Sequence, residues 1–296
     1  MRTHMQKARV AIIGTGNIGS DLLVKVERSP YLTCTLFTGQ NPASPGIAQA
    51  KRMGVSTSSD SINAIVHNPG ICDIVFDATN AVSHKIHAPI LRKLRKFVID
   101  MTPSKIGVLC VPLINLKKSI RSHNVNMVSC GGQANIPLIA AIMLVHPETP
   151  YIEVVSSISS RSAGIGTREN IDEYTQTTSE AIMAITGVPK AKTIIILNPA
   201  DPPILMHNTI YAKIDKPNMN AIVKEIRDTA KRLQKYVPGF RVIVEPVNTN
   251  DCVMIMTEVV GLGDFLPVYA GNLDIINCAA VAVAEEYAKM TGRSRR

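Results

Sequence analysis

The stretch "ARVAIIGTGNIGSDLLVKVERS" (residues 8–29) runs from a short apolar segment through a glycine-rich hexapeptide into residues with apolar side chains at helical spacing. That order reads as strand, tight turn and helix. In the turn, Gly14 permits the reversal, Gly16 lets backbone approach a pyrophosphate without a Cβ in the way, and Gly19 allows helix and strand to pack closely. A phosphate would then meet the N-terminus of the helix, where backbone N–H groups point outward. A lone GxGxxG is weak, because a glycine-rich turn needs no ligand. Here it follows a strand, opens a helix and heads a chain that goes on alternating β and α, so the turn is read as dinucleotide-binding.

Downstream, "LTCTLF" (32–37), "DIVFDAT" (73–79), "KFVIDMT" (96–102) and "VNMVS" (125–129) are near-continuous apolar runs. Helical patterns lie between them near 43–53, 58–67 and 80–95. Apolar strands separated by helices imply a parallel sheet covered on both faces, hence a Rossmann-type domain over residues 1–130. No Asp or Glu closes the second strand to hold an adenosine ribose; "FTGQNPAS" (37–44) offers Gln40 and Asn41 instead, which leaves the choice of NAD over NADP open. Residues 131–272 differ in character, with long β-branched strands in "YIEVVSSISS" (151–160), "KTIIILNPAD" (192–201), "ILMHNTIYAKI" (204–214), "FRVIVEPV" (240–247) and "DCVMIMTEVV" (251–260). Two helices interrupt them, 167–187 with a possible cap at Thr167 and 218–236 opening on Asn218. The fold class is therefore α/β, a Rossmann-type parallel-sheet domain plus an α/β domain with a mostly antiparallel sheet. The apolar helix 273–290 is expected to pack back on the first domain and, with the tail to residue 296, to complete it.

Composition sets limits on partners. The 296 residues are 46% hydrophobic, enough for a large core, and no run is long and charge-free enough to span a bilayer. The first ten residues lack the apolar region of a signal peptide, so a cytoplasmic location is expected. Lys and Arg outnumber Asp and Glu 16 to 6 in residues 1–130 and stand 16 to 17 after that. The basic residues cluster in "RKLRK" (92–96) and "KKSIR" (117–121) without interleaved aromatics, so solvated helix faces and a phosphate-bearing cofactor fit better than nucleic acid. The six cysteines are far apart with no CxxC pair, which argues against a metal site or a disulfide framework.

One of them stands apart. In "NMVSCGGQANIPL" (126–138), Cys130 sits between a strand and a run of glycines that opens a helix. The positive end of a helix dipole and free N–H groups favour thiolate over thiol, making Cys130 a candidate nucleophile near neutral pH. Gly131 and Gly132 leave room for substrate, and their N–H groups are candidate oxyanion donors. The other five cysteines lie in apolar strand or helix patterns and read as buried hydrophobes. A nucleophilic thiol beside a nicotinamide cofactor implies aldehyde oxidation through an enzyme thioester, with the acyl group passed to water, phosphate or coenzyme A.

The segments "KARVAIIGTGNIGSDL", "RMGVSTSS", "VNMVSCGGQANIPL", "SSISSRSAGIGTRENIDEYTQTTS", "IIILNPADPP", "YVPGFR" and "LPVYAGNLDIINCAA" resemble the acylating acetaldehyde dehydrogenases, partners of 4-hydroxy-2-oxovalerate aldolase in bacterial meta-cleavage of aromatic compounds. The resemblance runs from about residue 7 to 290. It implies oxidation of acetaldehyde, or another short aldehyde, with NAD and coenzyme A to acetyl-CoA, Cys130 carrying the acyl thioester. It also implies a homo-oligomer and an aldolase complex. Cofactor contacts carried over by motif fall at Thr15, Gly16, Asn17 and Ile18, within Gly14 to Gly19. A second set comprises Ser162, Ala163, Gly164, Ile165, Gly166, Thr167, Arg168, Glu169 and Asn170, and a third is Asn272 in "YAGNLD". Two acid-to-amide departures stand out, Asn208 in "ILMHNT" and Asn41. An amide at position 208 cannot act as a base, which leaves His207 as a possible substitute or, more simply, a surface histidine. The segment between Phe240 and Asp264 is expected to be shorter than in the bacterial enzymes. Two rival readings follow, an NAD-binding scaffold for an aldolase that has lost its chemistry, and a semialdehyde dehydrogenase with a different acyl acceptor.

Overall fold

The computed structural model describes residues 6–164, 168, 171–250 and 252–294. It divides into two compact units: residues 1–112, 116–127 and 277–296 form one, and 113–115 with 128–276 the other.

The first unit is built on seven parallel strands, β1 (Ala8–Ile13), β2 (Leu32–Thr38), β3 (Thr57–Ser58), β4 (Ile74–Asp77), β5 (Phe97–Asp100), β6 (Val108–Leu109) and β7 (Asn124–Asn126), in the order β3-β2-β1-β4-β5-β7-β6. Residues 10–13 of β1 and all of β4 and β5 are buried, as a sheet covered on both faces requires. Helices α1 (Asn17–Arg28), α2 (Pro45–Arg52), α3 (Asn63–His67), α4 (Ala81–Lys93) and α5 (Pro112–Ser119) supply the crossovers. The strand order reverses between β1 and β4, so the crevice beyond the carboxyl ends of those two strands is where such a sheet takes a ligand. Residues 277–294 of the last helix, Gly271–Ser294, belong to this unit. There Tyr287 stacks on Phe97, their ring centroids 3.9 Å apart. Asn277 Nδ2 donates to Asp21 Oδ2 at 2.8 Å and to the Ile18 carbonyl at 3.2 Å, tying that helix to the first turn of α1.

The carboxyl ends of β4, β5 and β7 carry a buried polar network. Asp77 Oδ2 lies 2.8 Å from both His84 Nδ1 and His87 Nδ1, on successive turns of α4. His84 Nε2 lies 2.9 Å from Asn124 Nδ2 and 3.5 Å from Asp100 Oδ2. Asp100 in turn accepts from Ser104 Oγ at 2.6 Å and Asn126 Nδ2 at 2.7 Å. Burial opposes a charge on Asp77, but hydrogen bonds from His84, His87 and Thr79 outweigh it and hold the carboxyl below its usual range. Burial dominates at Asp100 and pushes that carboxyl up.

The second unit holds five strands, β8 (Tyr151–Ser159), β9 (Ala191–Asn198), β10 (Met206–Lys213), β11 (Phe240–Thr249) and β12 (Cys252–Val259), in the order β11-β12-β10-β8-β9. Only β8 and β9 pair in parallel, so the sheet is mostly antiparallel. Burial alternates along β8, β10 and β12, with the inner face under α6 (Cys130–Val145), α7 (Ile171–Thr186) and α8 (Met219–Leu233). Asn218 caps α8, accepting from the Ala221 N–H at 3.2 Å. The cap expected at Thr167 lies outside the described residues. Among the described residues no helix is long and apolar enough to cross a membrane.

Asp77→Asn should cost about 3–5 kcal/mol at pH 7, because two buried histidines lose their carboxylate. The depressed carboxyl stabilises the fold above about pH 4, its unfolded value, and that contribution is lost as pH falls through the folded value. Urea unfolding of wild type and variant should therefore differ at pH 7 and converge in strong acid.

Candidate active site

The dinucleotide turn lies in the first unit. Gly14 has φ of +109°, the left-handed region that only glycine enters freely. A Cβ there would stand 2.5 Å from the Ala78 carbonyl oxygen, and one on Gly19 would stand 1.9 Å from the Gly14 carbonyl oxygen. These two glycines are dictated by packing. Gly16 is different: a Cβ on it would meet nothing within 4 Å, and its backbone is extended. As N-cap of α1 it makes no side-chain hydrogen bond, and the first turn of α1 has no acidic residue. The helix therefore begins without a side-chain cap, at an open position, which fits a dinucleotide pyrophosphate. Thr15 and Ile18 are half-buried, and Asn17 is exposed. Asn41 is exposed and its Oδ1 accepts from the Ala43 N–H at 3.0 Å, a local turn ahead of α2.

The cysteine site lies wholly in the second unit. Val128 has φ of +63°, a conformation that costs a β-branched residue of order 1–3 kcal/mol. It leads directly into Ser129, whose Oγ caps α6 by accepting from the Gly132 N–H at 2.9 Å. A Cβ on Gly132 would stand 2.6 Å from Val128 Cγ1, so the strained turn requires that glycine. Cys130 is half-buried at the head of α6. Its Sγ lies 3.4 Å from the Tyr174 hydroxyl on α7, which also accepts from the Gly131 N–H at 3.1 Å. Gly131 admits this phenol, since a Cβ would come within 2.5 Å of its oxygen. The N–H groups of Gly131 and Gly132, the candidate oxyanion donors, thus both have partners within the protein.

The expected thiolate is corrected by the geometry. Burial pushes the Cys130 thiol up, and the Tyr174 hydroxyl with the N–H groups of Gly131 and Cys130 offsets that only in part. Desolvation, the largest influence on this sulfur, outweighs the N–H groups of the helix end. Burial also pushes up the thiols of Cys34 and Cys110, to about 12, of Cys72, to about 11, and of Cys252. Cys34, Cys252 and Cys278 fall within β2, β12 and the last helix, whereas Cys72 and Cys110 stand just outside β4 and β6.

Asn208 is fully buried on β10. Its Oδ1 accepts from Ser156 Oγ at 2.8 Å and from Asn135 Nδ2 at 3.2 Å, and its Nδ2 donates to Thr257 Oγ1 at 3.3 Å. Asn135 also donates to the Gly131 carbonyl at 2.8 Å, so Asn208 supports the first turn of α6 through Asn135. His207 is no substitute base for it. Successive residues of a strand face opposite ways, and His207 is half-exposed with its Nε2 3.2 Å from Glu258 Oε2.

Asn272 is buried and donates to the Ser162 carbonyl at 3.3 Å, while its Oδ1 has no hydrogen-bond partner among the described residues. An orphaned buried acceptor fits a donor from a bound cofactor. Ser162 and Ala163 are buried, and Gly164 faces open space. Arg168 turns back on its own loop, its guanidinium bonding the Ser160 carbonyl, Ser160 Oγ and the Ala163 carbonyl. Ile165, Gly166, Thr167, Glu169 and Asn170 lie outside the described residues. Sequence reasoning misses Tyr174: "NIDEYTQTTS" carries no local sign that this tyrosine lies against a cysteine 44 residues earlier.

Residues 9–122 match the family model for the semialdehyde dehydrogenase NAD binding domain, and residues 130–267 that for prokaryotic acetaldehyde dehydrogenase, dimerisation. Two crystal structures of aspartate semialdehyde dehydrogenase II from Vibrio cholerae share the fold. The one complexed with ASA has a TM-score of 0.61 at 15% identity, covering 98% of this chain and 100% of that one. The other has 0.64 at 13%, covering 95% and 98%. Fold and site thus define an NAD-binding aldehyde dehydrogenase class with a separate dimerisation domain. Within it, acetaldehyde dehydrogenase of Pectobacterium atrosepticum is 54% identical over 95% of each chain. That of Geobacillus stearothermophilus is 50% identical over 96% of this chain and 97% of its own, and that of Spirochaeta aurantia 49% over 95% of each. The chain belongs to the acetaldehyde dehydrogenase family. Residues 240–259 fold as the β11–β12 hairpin, paired from Phe240 with Val259 to Thr249 with Cys252.

The two turn glycines should separate binding from stability. Gly16→Ala should leave the melting temperature within a degree or two of wild type and weaken NAD at least about tenfold by titration calorimetry, since a methyl group fits the fold but not an approaching pyrophosphate. Gly14→Ala should lower the melting temperature by several degrees, because backbone conformation and the Ala78 carbonyl both oppose it.

Proposed function

We propose that the chain is a CoA-acylating acetaldehyde dehydrogenase that uses Cys130 as its acyl-carrying nucleophile. The observation that carries this reading is the half-buried sulfur at the head of α6, flanked by two glycines and reached by a phenolic hydroxyl. In the first step the Cys130 thiol gives up its proton to solvent, the thiolate bonds to the aldehyde carbon, and the C=O electron pair moves to oxygen. NAD, when bound, supplies the acceptor for the hydride that leaves the thiohemiacetal carbon. The thioester on Cys130 then passes its acyl group to the thiol of coenzyme A, whose sulfur displaces that of Cys130. Overall, aldehyde, NAD⁺ and CoA give acyl-CoA, NADH and a proton.

The turn Gly14–Gly19 of the first unit is the part of this chain that would hold the cofactor's pyrophosphate. The extra first-domain cations, in "RKLRK" and "KKSIR", suit the phosphates of coenzyme A. A homodimer through the second unit fits the dimerisation description matched by residues 130–267, with Ile196, Ile243 and Val247 of that unit exposed. A cytoplasmic enzyme working beside a 4-hydroxy-2-oxovalerate aldolase that releases acetaldehyde is the setting this reading favours. The inactive-scaffold alternative rests on the missing base at position 208, whereas the hydrogen bonds of Asn208 to Asn135 and Ser156 favour a supporting role for it.

Cys130→Ala should reduce CoA-dependent NADH formation from acetaldehyde at 340 nm by at least about a thousandfold, in line with removal of other covalent nucleophiles. NAD affinity should be unchanged. Turnover near the wild-type rate in this variant would exclude the thioester route.

A further inference from the structure

A phenol oxygen carries one proton and can also accept hydrogen bonds. The Tyr174 oxygen accepts the Gly131 N–H at 3.1 Å and lies 3.4 Å from Cys130 Sγ, within reach to donate its proton to a thiolate there. We infer that Tyr174 is a catalytic residue whose hydroxyl donates first to the Cys130 thiolate and then to the oxygen of the attacked aldehyde. This deepens the proposed function and rests on Cys130 being its nucleophile.

Three features build the contact. Tyr174 and Thr178 stand one turn apart on α7 and serve consecutive parts of the α6 turn, Thr178 Oγ1 lying 2.8 Å from Ser129 Oγ. Thr178 gives its own proton to the Tyr174 carbonyl at 2.7 Å, so the Ser129 hydroxyl is the donor between them and its oxygen stays free to cap Gly132. Gly131 lacks the Cβ that would displace the phenol. The N–H it accepts belongs to the positive end of α6, and an O–H whose oxygen accepts such a bond becomes a stronger donor. Burial keeps Tyr174 protonated, holding its hydroxyl well above the ordinary tyrosine range. Among the described residues it is the titratable side chain within hydrogen-bonding distance of the sulfur.

The step moves no proton through Tyr174. As the C–S bond forms, negative charge passes from sulfur to the carbonyl oxygen, and the O–H bond follows the charge. The Gly131 N–H, occupied in the resting site, thus acts on the oxyanion through the phenol.

The test is alkylation of Cys130 by iodoacetamide across a pH series, quantified on the Cys130 peptide by mass spectrometry without NAD or aldehyde. In Tyr174→Phe the midpoint should rise by about one pH unit, with about a tenfold slower rate below it. The kcat for acetaldehyde should fall about tenfold to hundredfold with KM little changed. Gly131→Ala retains the phenol but pushes it aside, and should shift the alkylation midpoint in the same direction. It supplies the reading if Tyr174→Phe does not fold. Alkylation profiles that superimpose on wild type in a folded variant would overturn the inference. Failure of the underlying reading looks different: Cys130→Ala would still turn over, whatever the alkylation profile of Tyr174→Phe.

Discussion

The head of α6 has to present a sulfur while disposing of the backbone N–H groups that every helix start leaves unpaired. "VSCGG" solves this within five residues. Val128 takes a left-handed backbone, Ser129 spends its oxygen on the Gly132 N–H, and Gly132 lacks a Cβ because the Val128 side chain occupies that space. Gly131 lacks one because the Tyr174 phenol does. Each residue of the turn is thus fixed by a contact with another, and the strain at Val128 is held in place by the cap that follows it. The support extends inward through Asn135, which ties the Gly131 carbonyl to Asn208 on β10.

The two units handle buried polarity in opposite ways. At the carboxyl ends of β4 and β5 the first unit buries carboxylates and faces them with histidines, a system in which charge is compensated by potential charge. Around α6 the second unit, among the described residues, uses amides and hydroxyls: Ser129, Asn135, Ser156, Thr178, Asn208 and Thr257. A neutral shell costs less to bury than ions do. Among the described residues, a negative charge on Cys130 is met by backbone dipoles and one phenolic proton. The raised thiol is the direct result, and it makes the hydroxyl of Tyr174 matter more than it would beside a lysine or histidine.

Much of this was legible in the sequence because it is local. The strand, turn and helix of residues 8–29 follow from an apolar run, three glycines and a 3.6-residue period, all within reach of one another along the chain. The alternation of β8, β10 and β12 likewise shows in their side chains, and the cap at Asn218 is a single-residue signal. What escaped is non-local. Tyr174 reaches Cys130 only because α6 and α7 pack together, and a tyrosine in a polar helix start carries no mark of that neighbour. The engagement of the Gly131 and Gly132 N–H groups depends on the same packing and on the Val128 conformation, which no propensity scale anticipates for a β-branched residue. The low-pKa expectation for Cys130 failed for a related reason: position at a helix N-terminus is visible in sequence, whereas desolvation is a property of the assembled fold.

The amide at position 208 can now be weighed physically. A carboxylate at Asn208 would be wholly desolvated, with Asn135 and Ser156 as its donors, and it would give nothing to Thr257 Oγ1, which the amide nitrogen now reaches. The amide meets its neighbours as both donor and acceptor, whereas a carboxylate would have to accept from all three, the Thr257 hydroxyl included. Its loss of basicity bears on the chemistry only if the thiol proton must leave by that route. Asn208 contacts Asn135, Ser156 and Thr257, whereas the hydroxyl on the sulfur is that of Tyr174. Position 208 therefore acts on Cys130 by holding the Asn135 amide against the Gly131 carbonyl, and an asparagine is chemically suited to that task.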